Sequence, residues 1–94
     1  MIPLFKFKIE GSSMSPTFES GDVVLVNRLS YLFGKPKIGD LVVLRKNKYI
    51  IKRISKIKEN QFFVIGDNER ESTDSRSFGW IKKKEIIGKV MFKI

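Results

Sequence analysis

Leu41-Val42-Val43-Leu44-Arg45-Lys46-Asn47-Lys48-Tyr49-Ile50-Ile51-Lys52-Arg53-Ile54 is the stretch that decides how this chain folds. An unbroken apolar run from Leu41 to Leu44 meets a polar turn at Lys46-Asn47, and a second aliphatic stretch follows with Lys52 set inside it. Short β-branched and aliphatic runs separated by a polar turn read as paired strands. The spacing predicts a hairpin of strands over 41–45 and 48–58. The same grammar extends outward. Phe5, Phe7 and Ile9 alternate with Lys6, Lys8 and Glu10, which is the period of a half-buried strand. Further strands are expected over 22–27, 61–65 and 86–94, the last around Gly88. Ser20-Gly21-Asp22 is a turn, and 34–40 carries Gly, Pro and Asp loop chemistry. Residues 28–33 read as a loop or one helical turn, 67–78 as a polar loop, and 80–84 as a turn or single helical turn. No repeat, low-complexity tract or linker divides the chain. The expected fold is all-β: one small domain over 1–94, built of coiled antiparallel sheet or a partly open barrel.

Composition narrows the chemistry. Ninety-four residues provide one core and no second domain. With no cysteine, disulfides, thiolate metal sites and cysteine nucleophiles are excluded. With no histidine, a Ser–His–Asp triad, histidine-bound zinc and imidazole proton transfer are excluded as well. Covalent catalysis is then left to Ser, Thr, Lys, Tyr or a carboxylate, and a Ser–Lys pair is one of the few hydrolytic arrangements remaining. No cofactor or metal is expected. The net charge is +9, and ten Lys/Arg against the single acid Asp40 between Arg28 and Lys58 account for it. Such asymmetry suits an anionic partner, a membrane surface or nucleic acid, and equally suits a small β protein kept soluble by lysines. No apolar run nears the ~20 residues that span a bilayer. Met1 to Phe5 is too short for the apolar part of a leader. The chain is therefore expected to be cytoplasmic or peripheral to a membrane, without an anchor.

Three segments do not suit their surroundings. Gly11-Ser12-Ser13-Met14-Ser15-Pro16-Thr17 is small and hydroxylated and directly follows a strand. A rigid bend of this kind presents a hydroxyl beside free backbone amides, as a nucleophile with an oxyanion hole requires. In the second segment, strand alternation puts Ile50, Lys52 and Ile54 on one face and Tyr49, Ile51 and Arg53 on the other. A lysine pointing to the apolar side loses hydration, which lowers its pKa and fits it to act as a base. The alternative is an edge lysine whose amine reaches water. The third segment, the twelve residues 67–78 between Gly66 and Gly79, holds Asp67, Glu69, Glu71 and Asp74 with Arg70 and Arg76. Asp/Arg pairing would pin a polar loop that is otherwise costly to order.

Together these segments resemble the signal peptidase I family. Ser13-Met14-Ser15-Pro16-Thr17 is similar to its Ser-Met-x-Pro-Thr box, and Gly21-Asp22 leads into an apolar strand as in that family. Gly39-Asp40-Leu41-Val42-Val43 resembles its Gly-Asp-hydrophobic segment, Ile51-Lys52-Arg53 its Lys-Arg box, and Gly66-Asp67-Asn68 with Ser72-x-Asp74-Ser75-Arg76 its Gly-Asp-Asn and Ser-x-Asp-Ser-Arg boxes. The resemblance spans residues 7 to 90. It implies that Ser13 is the nucleophile and Lys52 its general base. It implies further that Ser72 hydrogen-bonds the Lys52 amine, and that Asp74 and Arg76 form an ion pair joined by Asp67 and Arg53. The Ser13 backbone amide, with Ser12 beside it, would serve the oxyanion. The implied substrate is a precursor polypeptide with small residues before the cut. The chain departs from the family in three respects. Gly11 stands where many relatives place a serine that helps the oxyanion hole, Ser55 to Asn60 replaces the Gly-Leu-Pro-Gly-Asp segment, and the membrane anchor and inserted second β domain are missing. In this reduced form it looks most like the small nickel-type superoxide dismutase maturation proteases.

Two other readings fit the composition. A self-cleaving repressor also uses Ser and Lys on a related fold, but no cleavable arm precedes Phe5. A basic β-barrel that binds anionic lipid or nucleic acid needs exposed aromatics among its lysines. Phe5 and Phe7 look like core instead, so no nucleic acid is expected.

Overall fold

The computed structural model describes residues 3–94. Along it run β1 (Leu4–Lys8), β2 (Val23–Asn27), β3 (Leu41–Lys46), β4 (Lys48–Lys58), β5 (Gln61–Ile65), a single helical turn α1 (Ser75–Phe78), β6 (Ile81–Lys82) and β7 (Ile86–Lys93). The reading of Met1 to Phe5 falls partly on Met1 and Ile2, outside the described residues.

The expected hairpin forms. β3 and β4 pair antiparallel from Leu41↔Arg53 to Lys46↔Lys48, with Asn47 at the apex at φ 58°, a left-handed conformation that asparagine tolerates better than most residues. All strands belong to one antiparallel sheet in the order β1-β2-β7-β3-β4-β5-β6, open and strongly curled into a half-barrel. β3 lies at its centre, between β7 and β4.

Where the composition led to the expectation of one core, curling gives the sheet two, one on each face, and the period of β3 divides its residues between them. Val43 joins Ile9, Met14, Phe18, Val24, Val26, Ile51 and Val90 in one cluster. Val42 and Leu44 join Tyr31, Ile54, Phe62, Val64 and Ile81 in the other. A strand buried on both faces has no polar face to show, which is why 41–44 reads as continuous apolar sequence rather than as alternation. Phe5 and Phe7 pack on the first cluster as expected, with Lys6 and Lys8 on the exposed side.

Two regions differ from the sequence reading. The polar loop 67–78 contains a 3-10 turn at Glu69–Glu71 and the turn α1. Asp74 is the cause of the second: its carboxylate caps α1 by accepting the Arg76 backbone N–H. Within 80–84, Ile81–Lys82 is a short strand rather than a turn, because Ile81 is fully buried in the second core and pairs with Phe62, and the helical turn begins only at Lys83.

Candidate active site

Ser13 sits in a tight bend between β1 and β2. Met14 beside it is completely buried in the first core, and Phe18 N–H donates to the Met14 carbonyl at 2.9 Å, so the bend is anchored from below. From the loop after β5, the Asn68 backbone N–H donates to the Ser13 carbonyl at 2.8 Å, and Asn68 Nδ2 donates to the Ser12 carbonyl at 3.0 Å. The Ser12 hydroxyl donates to the Glu71 carboxylate. Gly66 makes this approach possible, since a Cβ there would lie 2.6 Å from the Ser13 carbonyl oxygen. Three contacts thus tie the Ser12-Ser13 bend to residues 68–71.

Lys52 comes from the middle of β4, opposite Val42 of β3. Its side chain shares a face with Ile50 and Ile54 as alternation requires, and it is 3% exposed. Lys52 Nζ donates to Ser13 Oγ at 2.9 Å. Burial pushes the Lys52 amine below its ordinary pKa; the Asp74 charge pulls it back up, and the Arg76 charge pushes it down again. The net direction is downward. A buried amine in hydrogen-bond contact with a hydroxyl is chemically able to take its proton once neutral.

Among the remaining residues Asp74 and Arg76 pair as expected, but Ser72 and the Asp67–Arg53 pair are placed differently. Ser72 Oγ donates to Asp74 Oδ2 at 2.8 Å, so its bond goes to the carboxylate and not to the Lys52 amine. The reason is local: Asp74 lies two residues on and is fully buried, so its oxygens collect every donor in reach. They accept from Gly66 N–H at 2.8 Å, Arg76 N–H at 3.1 Å, Arg76 Nε at 3.0 Å and Arg76 Nη2 at 2.7 Å as well. Burial alone would raise the Asp74 pKa, but these donors hold the carboxyl well below the usual range. Asp67 and Arg53 form a second, separate pair through Nε and Nη2, each 2.9 Å from a carboxylate oxygen. Arg53 also donates to the Gly39 carbonyl at 3.0 Å, and Thr17 donates to Asp67 at 2.6 Å, so this pair joins the nucleophile bend, β4 and the loop before β3.

Sequence reading assigned no role to Asn68 or Glu71. Asn68 stood inside the quoted Gly66-Asp67-Asn68 box, whereas nothing local to Glu71 signals that it meets Ser12 from 59 positions away. Ser12, Ser13, Lys52 and Glu71 all line one groove of about 500 Å³, whose other lining residues include Lys6, Lys8 and Lys48.

A serine and a buried amine in hydrogen-bond contact thus line one groove of an all-β domain. The family described as signal peptidase, peptidase S26, matches residues 1–55 and 53–94, and the chain belongs to it. It is a peptidase. The chain is 27% identical to signal peptidase I of Bacillus caldolyticus, over 93% of this chain and 77% of that protein. That alignment runs over 140 positions, more than the 94 residues present here, so the relative carries inserted segments. Identity is also 27% to signal peptidase I V of Bacillus subtilis (strain 168), over 87% of this chain and 80% of that protein. It is 30% to the mitochondrial ATP-independent inner membrane protease subunit 1a of Arabidopsis thaliana, over 92% and 67%.

Proposed function

We propose that the chain is a serine endopeptidase that removes an amino-terminal leader or pro-sequence from a precursor protein, with Ser13 as nucleophile and Lys52 as general base. The observation that carries this is the 2.9 Å contact between Lys52 Nζ and Ser13 Oγ at an almost fully buried lysine. Neutral Lys52 takes the Ser13 proton as Oγ bonds to the scissile carbonyl carbon. The Ser13 backbone N–H, which donates to no other group among the described residues, is free to donate to the developing oxyanion. As the C–N bond breaks, Lys52 delivers the proton to the leaving amine, and the carbonyl remains as an ester on Ser13. Water then attacks that ester, gives a proton to Lys52, and the released Ser13 Oγ recovers it. Ser72 and Arg76 act one step away: they hold the Asp74 carboxylate, whose charge partly offsets the lowering of Lys52 basicity by burial, while the Arg76 charge adds to that lowering.

The test uses a peptide with small residues before the cut. Ser13→Ala is expected to abolish cleavage, while Ser12→Ala, which loses only the bond to Glu71, retains a measurable rate. An acylating inhibitor should add its mass to Ser13. Modification of Ser12 with Ser13 untouched would overturn the assignment.

The protein is further proposed to lie against anionic lipid. Leu32, Phe33 and Ile38 are 72%, 89% and 66% exposed in the loop between β2 and β3, where Lys35 and Lys37 accompany them. Apolar side chains among lysines suit the boundary of an acidic bilayer. No helix among the described residues is long and apolar enough to cross one.

A further inference from the structure

The groove that contains Ser13 and Lys52 is lined with lysines from two strands that are not neighbours in the sheet. β1 supplies Lys6 and Lys8, β4 supplies Lys48, and all three are exposed. None takes part in an ion pair among the described residues: the pairs formed are Lys46–Glu85, Arg53–Asp67, Arg76–Asp74, Lys89–Asp40 and Lys93–Asp22. The groove also holds two acids, Glu10 and Glu71; Ser12 donates to the Glu71 carboxylate without removing its charge, so Lys6, Lys8 and Lys48 leave the lining with an excess of one positive charge before Lys52 is counted. Like charges brought to one concave surface raise its potential, and an anionic occupant relieves that repulsion.

The geometry adds a spacing. β1 is an edge strand, so one side of its backbone is unpaired and open to an extended peptide. Lys6 and Lys8 lie two residues apart on the same exposed face, about 6.6–6.8 Å along the strand. A peptide extended beside β1 has the same repeat, so two of its alternate side chains come level with the two ammonium groups.

We propose that this groove selects precursor segments carrying acidic side chains at alternate positions near the cut, read by Lys6, Lys8 and Lys48. The inference rests on Ser13 and Lys52 being the cleaving pair. It separates this chain from a peptidase adapted to a purely apolar leader, whose side chains would lie among three ammonium groups without any compensating charge.

The experiment compares three peptides of one sequence that differ at two alternate positions, occupied by Glu, Gln or Leu. One set places those positions before the cut and another after it. Each exposed carboxylate–ammonium contact is expected to contribute about two- to five-fold at low salt. The Glu peptide of one set should therefore exceed its Gln partner at least about fourfold in kcat/KM at low salt, and the gap should close as salt shortens the screening length to a few Å. Lys6→Glu/Lys8→Glu, checked for native circular dichroism, should remove or reverse the preference, and Lys6→Gln/Lys8→Gln should flatten it. Fluorescence anisotropy of the same labelled peptides on wild-type protein measures the preference without catalysis. Equal binding of Glu and Gln peptides at low salt, or preference for Leu, overturns the inference. Absence of any Ser13-dependent cleavage would instead overturn the assignment of the cleaving pair, with the anisotropy still deciding the charge preference.

Discussion

Lys52 shows how one side chain sets stability and activity against each other. Its folded pKa lies below the ordinary lysine value of 10.5 because burial disfavours the ammonium. Between the folded and unfolded values the unfolded chain binds more protons, so stability contributed through this group rises with pH across that window. Below the window, the folded protein bears the full cost of a charged buried amine. Lys52→Met removes that cost, and at neutral pH the variant is expected to range from equally stable to about 2 kcal/mol more stable. Its advantage should shrink as pH rises toward the unfolded value, which urea titrations at several pH values will show. Cleavage should fall by at least ~10²-fold. The wild-type rate, where chemistry limits it, should climb with pH through an apparent pKa below 10.5, as neutral Lys52 accumulates. A folded Lys52→Met protein that cleaves at the wild-type rate would remove the Ser–Lys mechanism. The position of Lys52 was legible from alternation with Ile50 and Ile54. The partner of Ser72 was not, because the choice between an amine and a carboxylate depends on which of them the folded loop brings nearer.

At the scale of elements, the segment between β5 and β6 is organised around one carboxylate. Asp74 caps α1, pairs with Arg76 and satisfies the Gly66 N–H and the Ser72 hydroxyl while fully buried. Asp74→Ala leaves buried donors and a guanidinium without their acceptor, and a loss of about 3–5 kcal/mol is expected by chemical denaturation. Ser77→Ala in the same turn is exposed and should change stability by less than about 0.5 kcal/mol. Because the Asp74 carboxyl is held below its ordinary value, its contribution is present in full above the usual carboxylate range and disappears as pH falls through the folded value. Asp74→Ala should therefore cost much less near the acid limit than at pH 7. Gly66 governs the other contact of this segment. A Cβ there would overlap the Ser72 side chain and lie 2.6 Å from the Ser13 carbonyl oxygen, so Ser72 and the bend must both shift. Gly66→Ala is expected to cost about 1–3 kcal/mol through overpacking. Cleavage should fall further, toward ~10²-fold, since displacing a nucleophile by about 1 Å is enough. Equal stability and activity in Gly66→Ala would show that the bend yields without consequence.

For the whole molecule, the excess of lysine and arginine and the exposed Leu32, Phe33 and Ile38 bear on where the protein works. Binding to anionic vesicles should exceed binding to neutral ones and fall steeply with salt, following a screening length of ~10 Å at 0.1 M. Phe33→Ser, at an 89% exposed position, should weaken that binding without changing thermal stability. Equal affinity for neutral and anionic vesicles would remove lipid charge from the account.

The sequence by itself determined the all-β class and the hairpin across Lys46-Asn47, while its resemblance to the signal peptidase I boxes singled out Ser13 and Lys52. Fold class and hairpin rest on local information, period two and turn chemistry; the absence of histidine and cysteine only narrowed the chemistry that the resemblance then assigned. The sequence did not determine that 41–44 is buried on both faces, since a continuous apolar run fits any doubly covered strand and only the curl of the sheet supplies the second core. Nor did it reveal the clamp of Asn68 and Glu71 on the Ser12-Ser13 bend, the transfer of Ser72 to Asp74, or the meeting of Lys6, Lys8 and Lys48 in one groove. Those contacts join segments far apart in the chain, and period and turn chemistry carry no information about such distances. Tertiary packing decided them, by bringing β1, β4 and the 66–79 segment against one bend.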